Sequence, residues 1–412
     1  MKPVLESMGR RTMAVLTAAG DNAYLSAVRA GMVTVVPLTI LGGLFMALAF
    51  LPIPGYEERI KGWLPLLDIP VQATFGMLAV LACLAVASDL AQRLKLEPLP
   101  ASVTAVVAFL LLQLKPGGEG LVMQGLGSAG LFTAILVALV SVRVQRLFSD
   151  LGLVIRLPAS VPPIVQESFL SLVPFVVLVS GFWILRHLLG VDVQGVVAAA
   201  FKPLVSSLDT LPGILAYAFA VTLLWSVGVN GDNTMDAIVA PVFLQYLADN
   251  VAALKAGQPM PHATANGFFT TFVNVGGTGA TLALALVLVR SRDAGFRAVS
   301  RMSLPTQVFQ INEPIFFGLP VVLNPLLMVP YILNALMLTA GSYLLMDIGW
   351  IRKPFVSVPW TTPPVIGHYL MTGGDWRAAA WGVASIGLAM AVYYPFARAA
   401  ERQRLAAAGV RP

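Results

Sequence analysis

Residues 304–346 read LPTQVFQINEPIFFGLPVVLNPLLMVPYILNALMLTAGSYLLM and contain one charged side chain, Glu313. A helix needs ~20 apolar residues to cross the hydrocarbon core, so this stretch is long enough to enter a bilayer and more. An acidic residue at that depth costs at least ~2.5 kcal/mol on insertion scales, and so faces a cavity or a partner rather than lipid. Pro305, Pro314, Pro320 and Pro325, with Gly318, forbid one continuous helix. The stretch predicts a broken or re-entrant helical hairpin entering from the cytoplasmic face. Its tip holds Asn312 and Glu313 beside freed backbone groups, a geometry suited to a polar ligand inside the bilayer. The alternative reading of Glu313 is a carboxyl at the interface that only caps a helix.

The composition of the whole chain agrees. Of 412 residues, 58% are hydrophobic and 11% charged, against roughly 25% charged in a soluble domain. The mean hydropathy is +0.82. These values exclude a soluble enzyme, a disordered chain and an ordinary nucleic-acid binder, and leave an all-α polytopic membrane protein. The 36 glycines and 29 prolines are many for a helical chain; membrane proteins tolerate them where helices break around a site. The net charge of +6 reads as a topology signal before it reads as a partner signal, and no nucleic acid is expected.

Long stretches without Asp, Glu, Lys or Arg run over 30–56, 69–88, 98–114, 120–142, 168–185, 210–231, 256–289, 314–346 and 378–397, with a shorter one at 237–248. They predict about ten transmembrane helices. The uncharged stretch 354–374 carries four prolines and a run of polar residues, and reads as an ordered loop or re-entrant segment. Residues 191–210 are mildly amphipathic and read as a connecting helix on the membrane surface. Residues 1–28 lack a long apolar core, and read as an amphipathic lead-in rather than a cleaved signal. The N-terminal segment, the 143–156 and 290–301 connections and the tail after 397 are basic. Placed inside, they give cytoplasmic N- and C-termini and an even number of spans in a cell (inner) membrane. The first half, 1–190, reads as five plain spans, with Glu167 at a span edge. From 211 to 412, polar residues and glycines enter the apolar stretches, so the site is expected there.

Three further clusters carry chemistry. WSVGVNGDNTMDAIVAP, 225–241, offers Trp225, Asn230, Asp232, Asn233 and Asp236; it is either part of a ligand site or a hydrated turn in which Asp232 or Asn233 caps the next helix. VPWTTPPVIGHYLMTGGDW, 358–376, offers Trp360, Thr361, Thr362, His368 and Trp376. An aromatic face beside hydroxyls is how proteins hold a sugar, while interfacial tryptophans of an aromatic belt are the plainer explanation. TANGFFTTFVNVGGTGAT, 264–281, adds Asn266, Asn274 and a GGTG run whose glycines allow close packing. The three histidines, His187, His262 and His368, are isolated in sequence, and no metal is expected. The single cysteine, Cys83, lies in an apolar run and forms no disulfide within one chain. There is no Walker motif and no spaced arginine series. No cofactor is expected.

INEPIFFGLPVVLNPLLMVPYIL (311–333), VPWTTPPVIGHYLMTGGDWRAA (358–379), the Arg29–Pro54 span and PLPASVTAVVAFLLL (98–112) closely resemble the membrane component, enzyme IIC, of the sugar phosphotransferase system, lactose/cellobiose/diacetylchitobiose family. The resemblance covers nearly the whole chain. It implies a homodimer of ten-span protomers in lipid. Residues 1–190 would form the dimer interface, 191–210 the connection, and 211–412 a sugar-binding transport domain with re-entrant hairpins that moves as a rigid body. It implies a di- or oligosaccharide substrate and a separate cytoplasmic IIB phosphocarrier, with no fused IIA or IIB domain. It makes Glu313 the group that meets the hydroxyl to be phosphorylated, as acceptor or general base. The other sugar contacts expected are Asn312, Asn230, Asp232, Asn233, Trp225, Asn274, Trp360 and Thr361.

One departure stands out. Relatives of that kind read Gly-Ile-His-Gly where this chain reads Gly228-Val229-Asn230-Gly231. Asn230 exchanges hydrogen bonds with a sugar but cannot carry a proton as histidine does. The alternative it motivates is a phosphorylation-independent sugar facilitator or symporter on the same fold.

Overall fold

The computed structural model describes residues 22–407 apart from 52–54, 116–119, 156, 159, 160, 320 and 323. The N-terminal lead-in and Pro320 lie outside the described residues, as does the side chain of Glu167. Every regular element among the described residues is helical; one isolated bridge, Leu114 with Leu121, is the only strand-like pairing there.

The principal helices are α1 (Ala23–Ala49), α2 (Leu78–Arg93), α3 (Pro98–Gln113), α4 (Leu131–Asp150), α5 (Pro163–Trp183), α6 (Val193–Leu208), α7 (Leu211–Ser226), α8 (Gly231–Lys255), α9 (Thr281–Leu288), α10 (Ala294–Val308), α11 (Glu313–Gly318), α12 (Pro325–Asp347), α13 (Ile366–Met371) and α14 (Trp376–Ala407). Local chemistry sets several starts. Thr210 accepts from the Gly213 amide at the head of α7, Asp293 from Phe296 at the head of α10, and Asn324 from Leu326 at the head of α12, where Pro325 fills the first position. By length and composition, 6 helices among the described residues are able to cross a membrane, or up to 7 if the broken pair Val193–Leu208 and Leu211–Ser226 is one span. This is the pattern of a multi-pass membrane protein.

The uncharged run 256–289, expected to cross as one helix, does not. It is an irregular approach, a π-helical turn Phe268–Val273, a tip at 274–280, and the short helix α9. Gly267, Gly276, Gly277 and Gly279 all have positive φ, and Ala280 follows at φ 56. A chain that turns left-handed at four positions in five cannot continue a right-handed helix. The stretch 304–346 is likewise broken, into the end of α10, the short α11 and the long α12. The proline-rich 354–374 segment is irregular to residue 365 and closes with α13. The amphipathic 191–210 stretch forms α6.

The fold divides into two compact units. Among the described residues, the first comprises 22–42, 68–205 and 233–248. Its core is rich in small side chains: Ala79, Ala82, Cys83 and Val86 of α2, Ala101, Ala105 and Ala108 of α3, and Ala134 and Ala138 of α4. Such residues let helix backbones approach closely where lipid supplies no hydrophobic drive between helices. At Gly31 of α1 an added Cβ would lie 2.8 Å from the Val86 backbone nitrogen.

The second unit comprises, among the described residues, 43–67, 206–232 and 249–407. In it α12 packs on α7 and α14, and α9 on α10 and α14. Gly341 leaves room for Trp381, whose Nε1 donates to Ser342 Oγ at 2.9 Å. The approach to the 256–289 hairpin is pinned by a polar cluster. His262 Nδ1 lies 2.7 Å from Asp209 Oδ2, and its Nε2 is 3.5 Å from Asp249 Oδ2. Asn250 donates to the carbonyls of His262 and Pro354 at 2.8 and 2.7 Å. Thr264 Oγ1 and the Tyr343 hydroxyl complete the set on Asp209.

Burial alone would lower the His262 pKa, but hydrogen bonds and charge from Asp209 and Asp249 outweigh it and raise the group to about 9. The folded protein thus holds this proton more tightly than the unfolded chain. The stabilisation is present in full below the ordinary histidine value of 6.5 and is lost as pH rises through about 9. Allowing for solvent screening of a partly exposed group, it amounts to about 1–2 kcal/mol. Thermal melts in detergent should show stability falling between pH 7 and 10, and His262→Gln should remove most of that slope. An equal slope in the variant would assign the pH dependence to other groups.

Candidate functional site

Trp225 closes α7, and the chain then turns through Gly228 at φ 89 and half-buried Asn230 into α8. Asp232 stands in the first turn of α8, but its carboxyl does not serve that helix. It accepts from Trp225 Nε1 at 2.8 Å, from Thr278 Oγ1 at 2.5 Å and from Asn274 Nδ2 at 3.3 Å. The cap reading of Asp232 therefore gives way to a bracket that joins the end of α7 to the tip of the first hairpin. All three donors are neutral. Asn274 Oδ1 is buried and has no partner among the described residues.

The second hairpin meets the same tip from the other side. Asn312 Nδ2 donates to the Thr278 carbonyl at 3.1 Å. Gly277 makes the approach feasible: an added Cβ there would lie 2.4 Å from the Asn312 Cβ. Gln310, at φ 68, accepts from the Gly276 and Gly277 amides and donates to the carbonyls of Thr270 and Thr362. That last bond brings in the proline-rich segment that carries Trp360 and Thr361. Trp360 is exposed (57%) and Thr361 half-buried. The Trp225 ring packs edge-on against Phe316 of α11, centroids 5.1 Å apart.

Glu313 opens α11 and is exposed. No hydrogen bond or ion pair of its side chain is seen among the described residues. An acidic group beside two hairpin tips, left without an internal partner, is open to a ligand. Asn312 lies beside it, its carbonyl accepting from the Ile315 and Phe316 amides at 3.1 and 2.9 Å.

The structure thus gathers Trp225, Asp232, Asn274, Asn312 and, through the Gln310 amide, the segment of Trp360 and Thr361. Asn233 belongs with the first unit, where its carbonyl accepts from Arg29 Nη1 at 3.2 Å. His368 is fully buried under α14, edge-on to Phe272 at 4.5 Å, with Gly382 against its ring. It is packed as a core residue. Thr278 and Gln310 were missed by the sequence reading. The GGTG run pointed near the first, while nothing but its place three residues before Glu313 marked the second.

A cavity of about 890 Å³ lies elsewhere in the second unit, lined by Met260, Asp347, Arg352, Lys353, Asp375 and Arg377 among others, and no hairpin-tip residue lines it. No cluster of His, Cys, Asp and Glu among the described residues is arranged to hold a metal ion. What the tips offer is hydrogen-bonding side chains, an indole, and one open carboxyl. That inventory suits a neutral, polyhydroxylated ligand.

Fold and site together define a helical multi-pass membrane protein of the carrier class, with irregular backbone gathered at one polar place inside apolar elements. The family model described as phosphotransferase system, EIIC, matches residues 29–335, and the chain belongs to that family. It is 35% identical to the cellobiose-specific EIIC component of the phosphotransferase system from Geobacillus stearothermophilus, over 96% of this chain and 94% of the relative. A lactose-specific EIICB component from Lacticaseibacillus casei is 26% identical over 95% of this chain and 70% of the relative. Among solved structures, the transporter ChbC, the IIC component of the N,N'-diacetylchitobiose-specific system, superposes with a TM-score of 0.90 at 30% identity, covering 97% of this chain and 98% of that one.

Proposed function

We propose that this protein is the sugar-translocating IIC component of a phosphotransferase system, that it carries a β-linked disaccharide or short oligosaccharide of the cellobiose, chitobiose or lactose type, and that it presents the sugar to a IIB phosphocarrier. Family membership supports the transport role. The observation that carries the site is Glu313, an exposed carboxyl at a hairpin tip, set beside Asn312 and without a hydrogen-bond or cationic partner among the described residues. Its role is to accept from the sugar hydroxyl that takes the phosphoryl group, and to remove that hydroxyl's proton as it attacks. Asp232 fixes the buried Trp225 at the tip, while Asn230, Asn274, Asn312, Trp360 and Thr361 supply the sugar contacts. The sugar names printed for the relatives support the substrate class.

The finer topology is part of the same proposal. Ten crossings, as the family resemblance implies, leave both termini cytoplasmic, in keeping with the basic loops. Residues 1–190 pair two protomers, and 211–412 shuttles as a body between access states.

Membranes containing this protein and supplied with phosphorylated IIB should accumulate sugar phosphate. Uptake of unmodified sugar alone would overturn the proposal in favour of the facilitator reading, for which Asn230 is the one supporting residue. Asn230→His should raise the rate of sugar-phosphate release and give it a dependence on pH near 6–7 that the parent lacks. An unchanged rate and profile would remove position 230 from the transfer step.

A further inference from the structure

Gln310 is 7% exposed and lies three residues before Glu313. Its amide is saturated. Oε1 accepts from the Gly276 N–H at 2.7 Å and the Gly277 N–H at 3.2 Å. Nε2 donates to the Thr270 carbonyl at 3.1 Å and the Thr362 carbonyl at 3.4 Å. A primary amide has two N–H groups and two oxygen lone pairs, so every bond this side chain is able to form is made, and all four go to backbone. Its own backbone is left-handed at φ 68, a region that non-glycine residues enter only when the surroundings hold them there.

The four partners belong to the first hairpin (270–277) and to the proline-rich segment (362), while Gln310 itself belongs to the second hairpin. Each of these segments carries a residue of the proposed sugar site: Asn274 on the first hairpin, Thr361 on the proline-rich segment, Glu313 on the second hairpin. Asp232 joins the successive helices α7 and α8 to one hairpin; Gln310 joins three segments that lie far apart along the chain.

We propose that Gln310 is a positioning residue of the sugar site, a single amide that fixes the spacing of three segments so that Asn274, Thr361 and Glu313 address one sugar. The inference rests on the sugar-site reading given above. No other side chain reproduces the pattern. Asparagine has the same groups one methylene shorter. Leucine has the bulk without the bonds. Glutamate keeps the acceptor side toward the two glycine amides, but sets an oxygen against the carbonyls of Thr270 and Thr362. When that glutamate is protonated, one donor returns. Affinity in Gln310→Glu therefore recovers as pH falls, which a packing role alone does not produce.

The test uses the full-length protein in detergent, with cellobiose and N,N'-diacetylchitobiose as probes, titrated calorimetrically from pH 5 to 8 beside thermal melts. Asp232, Glu313 and His368 are common to parent and variant, so the ratio of their affinities isolates position 310. Gln310→Glu should bind at least ~tenfold more weakly at pH 7.5, with the gap closing toward pH 5. Gln310→Leu and Gln310→Asn should be weak at every pH, with melting points within a few degrees of the parent. Affinity within twofold of the parent in all folded variants overturns the inference. So does a large fall in melting point with unchanged affinity in the folded fraction, which leaves Gln310 a structural residue only. If Gln310→Glu does not fold, the leucine and asparagine variants decide by affinity. Glu313→Gln run in parallel separates the two levels. Parent-like binding there removes the sugar-site reading itself. Weak binding there with parent-like Gln310 variants removes only the positioning role.

Discussion

Glu313→Gln should cost the protein most of its sugar affinity and nearly all of its phosphotransfer. Glutamine preserves shape and one acceptor oxygen but replaces the other with a donor. A hydrogen bond to a charged group is worth about 1.5–3 kcal/mol, which corresponds to a tenfold to 150-fold weaker dissociation constant. Loss of a general base removes a further ~10²–10⁴ from the rate. The second factor appears only in sugar-phosphate formation with phosphorylated IIB, so binding and turnover should fall by different amounts. Equal losses would make Glu313 a binding group alone. Parent-like values in both assays would place the site elsewhere.

Gly277→Ala should be a damaging small substitution at the tips, and the one that acts on Asn312 directly. Two effects coincide there. The residue sits at φ 102, where a side chain is strained, and the new Cβ would fall 2.4 Å from the Asn312 Cβ and 2.6 Å from its Cγ. Strain of about 1–2 kcal/mol for the backbone and about 1–3 kcal/mol for overpacking sum to a destabilisation of several kcal/mol. Relief comes only by moving Asn312, and with it the start of α11. Gly349→Ala is the matched control. It has φ 72 but nothing within 4 Å of the added carbon. The control should lose about 1 kcal/mol of stability and keep its sugar affinity. If both alanines behave alike, the two hairpins do not depend on contact at Gly277.

Much of this fold was legible in composition and charge spacing. Long uncharged runs became helices because an apolar segment without a charge has nowhere else to satisfy its backbone. Pro314 and Pro325 marked the starts of α11 and α12, while Pro305 sits inside α10 and breaks nothing. The run 256–289 misled because it too is uncharged. Only the phases of its glycines, five with positive φ, distinguish a folded tip from a crossing helix. The site was legible where a single residue broke the apolar pattern, as Glu313 does. It was not legible where the role comes from partners far along the chain. Asp232 draws its donors from residues 225, 274 and 278, and Gln310 draws its own from 270, 276, 277 and 362. His262, isolated in sequence, finds two aspartates at 209 and 249 in the same way. Side-chain type shows what a group is able to bond; only the fold shows which groups arrive.

The acidic groups at the tips have a consequence for the direction of traffic. Asp232 is bonded only to neutral donors, and Glu313 has no arginine, lysine or histidine paired with it among the described residues. A sugar hydroxyl has a hydrogen to give these oxygens. A phosphate ester in its place has only lone pairs and negative charge, and gains nothing from them. With the sugar at the tips as proposed, the chemistry that modifies the cargo would also dismiss it: a site that welcomes the sugar is a poor host for its ester. Product would leave because its own affinity has been erased, and its way back would be barred without any gate having to close.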